Sequence, residues 1–302
     1  VSALITAPGA YSGIDNADYH RNANLLPGPS ISSSGLKTLL NKSPAHYWYD
    51  SALNPDRPAE SDKPHFAVGK AAHDMLLLNE RFADSYHVTL EGFSRAKTKA
   101  MADEIAECEA AEADGKTILS FEQAATVRAM CAALKANKLA SAALSNGDSE
   151  VTLAWQDKET GVWLRARPDF LPKRRQIIPD LKTAADASPR GFQRAMANLG
   201  YAQSAALYLD GIETIFGERP SHWIHVVMEK EPPHVVALYE LPAEDIERGR
   251  WLNRTAVRRF AECLSADRWP GYSDQPTLLG LPQWERRMID EHGGDEAWSE
   301  AA

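Results

Sequence analysis

Cysteine is scarce in this sequence. Cys108, Cys131 and Cys263 are the only three among 302 residues, and no two form a Cys-x-x-Cys pair. An odd number of widely spaced thiols builds no disulfide framework, and the usual frame for a structural zinc or an iron–sulfur cluster is missing. Reduced, buried and inert cysteines are therefore expected. No apolar run approaches the roughly 20 residues that span a bilayer, and Val1 to Gly9 lacks a basic start followed by a long apolar centre. That pattern predicts a soluble, non-secreted protein with no membrane partner. Gly-rich phosphate loops of the Walker or dinucleotide kind are also absent, as are internal repeats and low-complexity tracts, which argues against nucleoside-triphosphate hydrolysis and repeat architectures.

Basic residues are in deficit, 33 Lys and Arg against 42 Asp and Glu, for a net charge of -9. Taken alone, this opposes a nucleic-acid partner, because phosphate binding draws on Lys and Arg displacing counterions. The distribution is uneven, however. Between Arg165 and Arg194 eight basic residues face three acidic ones, so this stretch carries +5 and the remainder -14. A local positive field on an acidic protein follows.

With 44% hydrophobic and 25% charged residues, the chain has ordinary globular composition. The pattern predicts one domain over 1–302. A mainly helical part runs to about 145, a sheet-and-helix part covers 146–267, and 268–302 is an extension ending in an acidic tail. Ser32 to Ser34 cap a helix bearing Leu36, Leu39 and Leu40, Ser43-Pro44 opens a second, and Asn54 to Lys63 reads as a loop. The aromatic run Tyr47-Trp48-Tyr49 is expected to pack in the core. Helical spacing covers His65 to Leu78, Arg95 to Ala113 and Phe121 to Ala143. An antiparallel meander of Glu150–Trp155, Trp163–Leu171 and Gln176–Leu181 is expected next. A helix over Arg190–Phe216, strands Trp223–Glu229 and Val235–Leu241, and a helix over Glu244–Leu264 complete an α/β order.

The chemistry concentrates in Arg167-Pro168-Asp169 and Asp180-Leu181-Lys182. Alternate residues of a strand share a face, so Asp180 and Lys182 point together while Leu181 points into the opposite layer. A hairpin about Pro172 to Arg175 would set Asp169 across from Asp180. Two carboxylates that close repel unless a cation lies between them, and hard oxygen donors suit magnesium or manganese. An adjacent lysine then orients water and offsets phosphate charge. By itself an acid-x-Lys triplet turns up by chance roughly once in a chain this long. The neighbouring Asp169, the basic surroundings, the following helix and His73 upstream give it weight.

Together these motifs resemble the PD-(D/E)xK nuclease superfamily, and within it the RecE (exodeoxyribonuclease VIII) C-terminal nuclease domain family. The likeness is carried in order by Ile31-Ser32-Ser33-Ser34-Gly35-Leu36, Ser43-Pro44-Ala45-His46, Gly69-Lys70-Ala71-Ala72-His73, Arg167-Pro168-Asp169, Asp180-Leu181-Lys182 and Trp269-Pro270-Gly271-Tyr272. It implies a restriction-endonuclease-like α/β core, with a mixed central sheet flanked by helices and an N-terminal helical elaboration. The implied activity is a Mg2+-dependent exonuclease, Mn2+ substituting and two ions per site, that degrades the 5′ strand of linear double-stranded DNA and leaves 3′ tails for recombination. Asp169 and Asp180 are the implied metal ligands, with the Leu181 carbonyl, His73 is a further ligand or an organiser of the metal site, and Lys182 is the implied catalytic lysine. The resemblance also implies a homo-oligomeric ring, a RecT-like annealing partner and a cytoplasmic, bacterial or phage-encoded setting.

Other residues are secondary candidates. Glu150 is placed to reach a second metal or to lie on the surface. Gln203 and Tyr208, with Arg167, Arg174 and Arg175 of the basic stretch, are candidate DNA contacts. Related nucleases often carry Gln four residues before Tyr, where this chain has Ser204. Arg250, Arg254 and Arg258 form a stripe that is expected to pair with Glu247 and Glu262 on a solvated face. His222-x-x-His225 is assigned no site, because the two side chains of a strand at that spacing face opposite ways. An endonuclease or Cas4-like nuclease, and a degenerate DNA-binding module, stay open as alternatives, although no four-cysteine cluster supports the Cas4-like one.

Overall fold

A computed structural model describes residues 4–58, 67–78, 81–94 and 101–292. Its strands are β1 (Gly9–Tyr11), β2 (Ser30–Ser32), β3 (Tyr86–Val88), β4 (Thr117–Leu119), β5 (Gly147–Ser149), β6 (Thr152–Gln156), β7 (Trp163–Ala166), β8 (Phe170–Pro172), β9 (Ile177–Ala184), β10 (His222–Glu229) and β11 (Val236–Glu240). Its helices are α1 (Asn16–Arg21), α2 (Ser33–Asn41), α3 (Pro44–Asp50), α4 (Ala67–Leu77), α5 (Phe82–Ser85), α6 (Ala102–Ala113), α7 (Phe121–Ala136), α8 (Lys138–Ala143), α9 (Pro189–Leu199), α10 (Tyr201–Phe216), α11 (Ala243–Ala266) and α12 (Gln283–His292). Val1–Trp269 forms one compact unit, and Pro270–Ala302, which carries α12, forms another.

The strands build a mixed α/β architecture. One sheet has the order β11-β10-β9, antiparallel between β10 and β11 and parallel between β10 and β9. Helices cover both of its faces. Ile178 of β9 and Trp223 of β10 join a core with Leu207 and Ile212 of α10 and Phe260 of α11. On the other face Leu181, Val226 and Met228 pack with Ala71 and Ala72 of α4 and Val127 and Met130 of α7. A second mixed sheet runs β1-β6-β7-β2. Cover on both faces explains why four successive residues of β9, Ile178 to Leu181, are buried.

Local signals set several helix ends. Ser43 accepts a hydrogen bond from His46 N–H ahead of Pro44 at the first turn of α3. Ser120 and Gln123 form a reciprocal capping box on α7, and Ser188 caps α9 just before Pro189. Each satisfies amide donors that the first helical turn leaves unpaired.

Three sequence expectations are corrected. The single helix over Arg190–Phe216 is two, because Gly200 adopts the left-handed conformation (φ 62°, ψ 46°), ending α9 and starting α10. The helix over Phe121–Ala143 likewise divides at Asn137, whose side chain accepts from Ala140 N–H to cap α8. The meander ends after β6–β7. β8 pairs with β5, and β9 turns to a parallel partner, β10, so the expected ladder opposite Asp169 does not form. Proline at positions 168 and 172 removes the amide donors that an extended ladder there would use. The starts of the expected helices at His65 and Arg95, the rest of the 54–63 loop and the acidic tail from 293 lie outside the described residues. Tyr47 packs edge-on to Phe260 and Trp48 stacks on Trp269, while Tyr49 is exposed.

Candidate active site

Helix α4 delivers His73 by approaching β9 very closely. A Cβ on Gly69 would stand 2.8 Å from Thr183 Oγ1, so a larger residue there would force the Thr183 side chain or the helix to shift. Asp169 sits just before β8, and Glu150 lies between β5 and β6. Glu150 holds φ at 55°, uncommon for a non-glycine residue. This turn carries its carboxylate toward His73, and its N–H donates to the Asp169 carbonyl. Backbone held in an unfavourable region beside converging charged groups is a recurrent sign of function.

One donor atom each from His73, Glu150 and Asp169 falls within a 4.8 Å cluster. His73 Nε2 lies 3.2 Å from Asp169 Oδ1, and His73 Nδ1 lies 3.8 Å from Glu150 Oε1. Magnesium holds oxygen ligands at about 2.1 Å, so ligands on opposite sides of it stand about 4.2 Å apart. The cluster therefore fits a divalent cation after a small inward shift. The other Asp169 oxygen accepts from Leu181 N–H at 2.9 Å. Lys182 Nζ joins the carboxylates, 2.7 Å from Asp180 Oδ2 and 3.6 Å from Asp169 Oδ2, and it donates to the Leu181 carbonyl at 3.2 Å.

Electrostatics follow from burial and these partners. Burial works against the Lys182 charge, but Asp169 and Asp180 more than restore it and hold Lys182 above the ordinary lysine value. Burial likewise opposes ionisation of Asp169, yet Lys182 and His73 keep it well below the usual carboxylate range. Against the cost of burial, Asp169, Asp74 and Glu150 raise His73 to about 10. Burial lifts Glu150 to about 7, partly opposed by the His73 charge. His73 must shed its proton to ligate a cation, so metal uptake and proton release are linked.

Two residues of this site escaped the sequence reading. His225 pairs in register with Asp180 across β10 and β9, and its Nδ1 lies 3.0 Å from Asp180 Oδ2. Both are sealed, at 1% and 4% exposure. His222 faces the other way, toward Glu240, as strand alternation requires, so the two histidines form no shared site and His225 acts through Asp180. The second residue, Tyr201, opens α10 and places its ring 5.4 Å from Lys182 Nζ. A parallel β9–β10 pairing was the missing signal for His225, and the break at Gly200 for Tyr201.

The candidate DNA contacts separate. Gln203 is 2% exposed and Arg167 is 9% exposed, so neither offers its side chain to a duplex. Arg167 donates to Thr152 Oγ1 and the Ile14 carbonyl and lies over the Tyr19 ring. Tyr208 is half-buried, edge-on to Trp223, and burial followed by nearby Tyr19, Asp169, Asp180 and Glu150 keeps its phenol protonated. Arg174 is exposed, and Arg175 stacks over Phe216. The Arg250, Arg254 and Arg258 stripe is spent on Asp210 with Glu247, on Asp157 and on Glu159, rather than on Glu262. More cationic is a cavity of about 720 Å3 lined by His20, Arg21, Arg57, Lys70 and Arg165, with Ser34 among its hydroxyls. Lys70 is one turn before His73 on α4, so cavity and carboxylates share a helix. Burial, then Arg165, Arg167, Arg57 and Lys70, depress His20 to about 4.

Comparison with known proteins bears on the family and the fold. A family described as "PDDEXK-like domain of unknown function (DUF3799)" matches residues 32–279. No curated protein matches the chain. A crystal structure from Eubacterium rectale, solved under the name "Putative exonuclease", superposes with a TM-score of 0.60 at 12% identity, covering 93% of this chain and 99% of that one. A second, of SSO0001, reaches a TM-score of 0.29 at 13% identity over 67% and 88%, and carries no argument. Among the described residues, no helix is long and apolar enough to cross a membrane.

Proposed function

The chain belongs to the PDDEXK-like domain family, and from that premise we propose that it is a divalent-metal-dependent exodeoxyribonuclease of the RecE kind. It degrades one strand of linear duplex DNA from 5′ to 3′ and leaves 3′ single-stranded tails for recombination. The observation that carries this reading is the convergence of His73, Glu150 and Asp169 beside a lysine that bridges Asp169 and Asp180.

Asp169, Asp180, His73 and the Leu181 carbonyl, with Glu150, would hold Mg2+, with Mn2+ substituting. The ion supplies Lewis-acid polarisation of the phosphodiester and a more acidic water. Lys182 works as an ammonium. Beside Asp169 and Asp180 it donates to the attacked phosphate and steers water. Leu181 N–H and His225 fix the two carboxylates in place. The basic cavity beside Lys70 receives backbone phosphates of the strand being cut.

The exonucleolytic mode rests on the sequence resemblance. The Eubacterium rectale protein is also named an exonuclease, and at 12% identity it contributes the fold alone. A homo-oligomeric ring, a RecT-like annealing partner and a cytoplasmic setting belong to the same reading. Digestion of linear duplex in Mg2+, with a closed circle of the same sequence as control, tests it. The native protein should release 5′ mononucleotides and leave 3′ tails, Asp180→Ala should do neither, and the circle should survive. Equal degradation by both proteins, or by neither, overturns the proposal, and cutting of the circle replaces it with an endonuclease.

A further inference from the structure

A second group of ligand-type side chains lies on other elements. His87 is the central residue of β3, while Glu104 and Cys108 are one turn apart on α6 and so share a helix face. One donor atom from each falls within a 4.8 Å cluster. His87 Nε2 stands 3.6 Å from Glu104 Oε1, too far for a hydrogen bond. Zinc holds nitrogen and oxygen at about 2.0 to 2.1 Å in a tetrahedron, which separates two such ligands by about 3.3 to 3.5 Å. The observed spacing is close to that edge.

Two further observations point to a cation. Among the described residues His87 Nε2 is buried without a hydrogen-bond partner, and the group it faces is the Glu104 carboxylate. Glu104 is 6% exposed, and among the described residues its Oε1 accepts from Leu90 N–H at 3.1 Å, a neutral donor that leaves room for a cation beside the carboxylate.

We infer that His87, Glu104 and Cys108 form a binding site for a thiophilic divalent cation, zinc foremost, that pins α6 to β3. Thiolate and imidazole together select zinc over magnesium, so this site and the carboxylate cluster take different ions. Tyr86, next to His87, donates its hydroxyl to Asp74 at 2.6 Å, so the pinned strand also bears on the residue beside His73. The ligands lie in two segments, at 87 and at 104 and 108, which is why no Cys-x-x-Cys spacing announces them.

Cobalt reports the site directly. The full chain is loaded with Co2+ in excess Mg2+, and its spectrum is searched for thiolate-to-cobalt charge transfer, which the sulfur-free carboxylate cluster cannot produce. The native protein should bind one equivalent with that band. A Cys131→Ser, Cys263→Ser double variant, with Cys108 as its sole thiol, should keep it. Cys108→Ser should lose it, and His87→Ala should weaken cobalt binding about tenfold or more. Absence of the band from the native protein or from the double variant overturns the inference, as does a band that survives Cys108→Ser. The native and Cys108-only proteins decide the matter even if the other variants fold poorly.

Discussion

His225 Nδ1 and Asp180 Oδ2 stand 3.0 Å apart in a pocket closed by Phe192, Tyr201 and Trp223, whose rings lie 5.3, 5.4 and 6.1 Å from the imidazole. A carboxylate fixed from behind presents its remaining lone pairs in one direction, and loss of such a partner typically costs about 10- to 100-fold in metal affinity or activity. His225→Phe fills the space without the hydrogen bond. It should lower nuclease activity by about that factor, and raised Mn2+ should recover part of it. An unchanged metal-activation curve would count against this role.

Lys182→Met separates metal binding from turnover. The ammonium between Asp169 and Asp180 competes with any cation for those oxygens. Mn2+ should therefore bind at least as tightly to the variant, while cleavage falls by about 100-fold or more as phosphate charge goes unanswered. Calorimetric Mn2+ titration beside a nuclease assay checks both halves.

Arg167 is a structural residue on this geometry. Its guanidinium serves Thr152, the Ile14 carbonyl and the Tyr19 ring. Arg167→Ala should lower stability by about 1 to 3 kcal/mol, the usual cost of losing hydrogen bonds to a buried charged group. The salt dependence of DNA binding should not move, because no phosphate contact has been removed. A shallower salt slope with unchanged stability would reverse the assignment.

Arg254 donates to both Asp157 oxygens, at 2.7 and 2.9 Å, and ties α11 to the β6–β7 turn. Burial pushes the Asp157 carboxyl up, but Arg254 and Thr160 hold it below its ordinary value of 3.8. A carboxyl lowered in the folded state contributes stability fully above the unfolded pKa and loses it as pH falls through the folded one. Asp157→Asn should therefore destabilise near pH 7, and its gap from the native protein should close as pH drops below about 4. Urea unfolding across that range measures the gap.

Much of the candidate site was legible before any coordinates. The placement of Asp180 and Lys182 on one face of a strand needs only the two-residue period of an extended backbone, and Ser43-Pro44 marks a helix start through its own local hydrogen bond. Gly69 and His73 were visible as a motif, but the reason for the glycine, its approach to Thr183, was not. The expected Asp169–Asp180 hairpin did not form, yet both residues still reach Lys182, one from a loop and one from a strand. Gln203 looked like a DNA contact through the family resemblance and Arg167 through the local basic excess, and neither signal records burial.

Sequence by itself determined the properties that a few neighbouring residues settle: strand alternation, caps, the local basic excess and the order of elements. Tertiary structure alone decided that β9 takes a parallel partner, that His225 therefore backs Asp180, that Glu150 turns inward at positive φ, and that His87 meets α6. Parallel register is selected by helices packing on both faces of the sheet, an energy shared among residues far apart in the chain, and no local pattern records it.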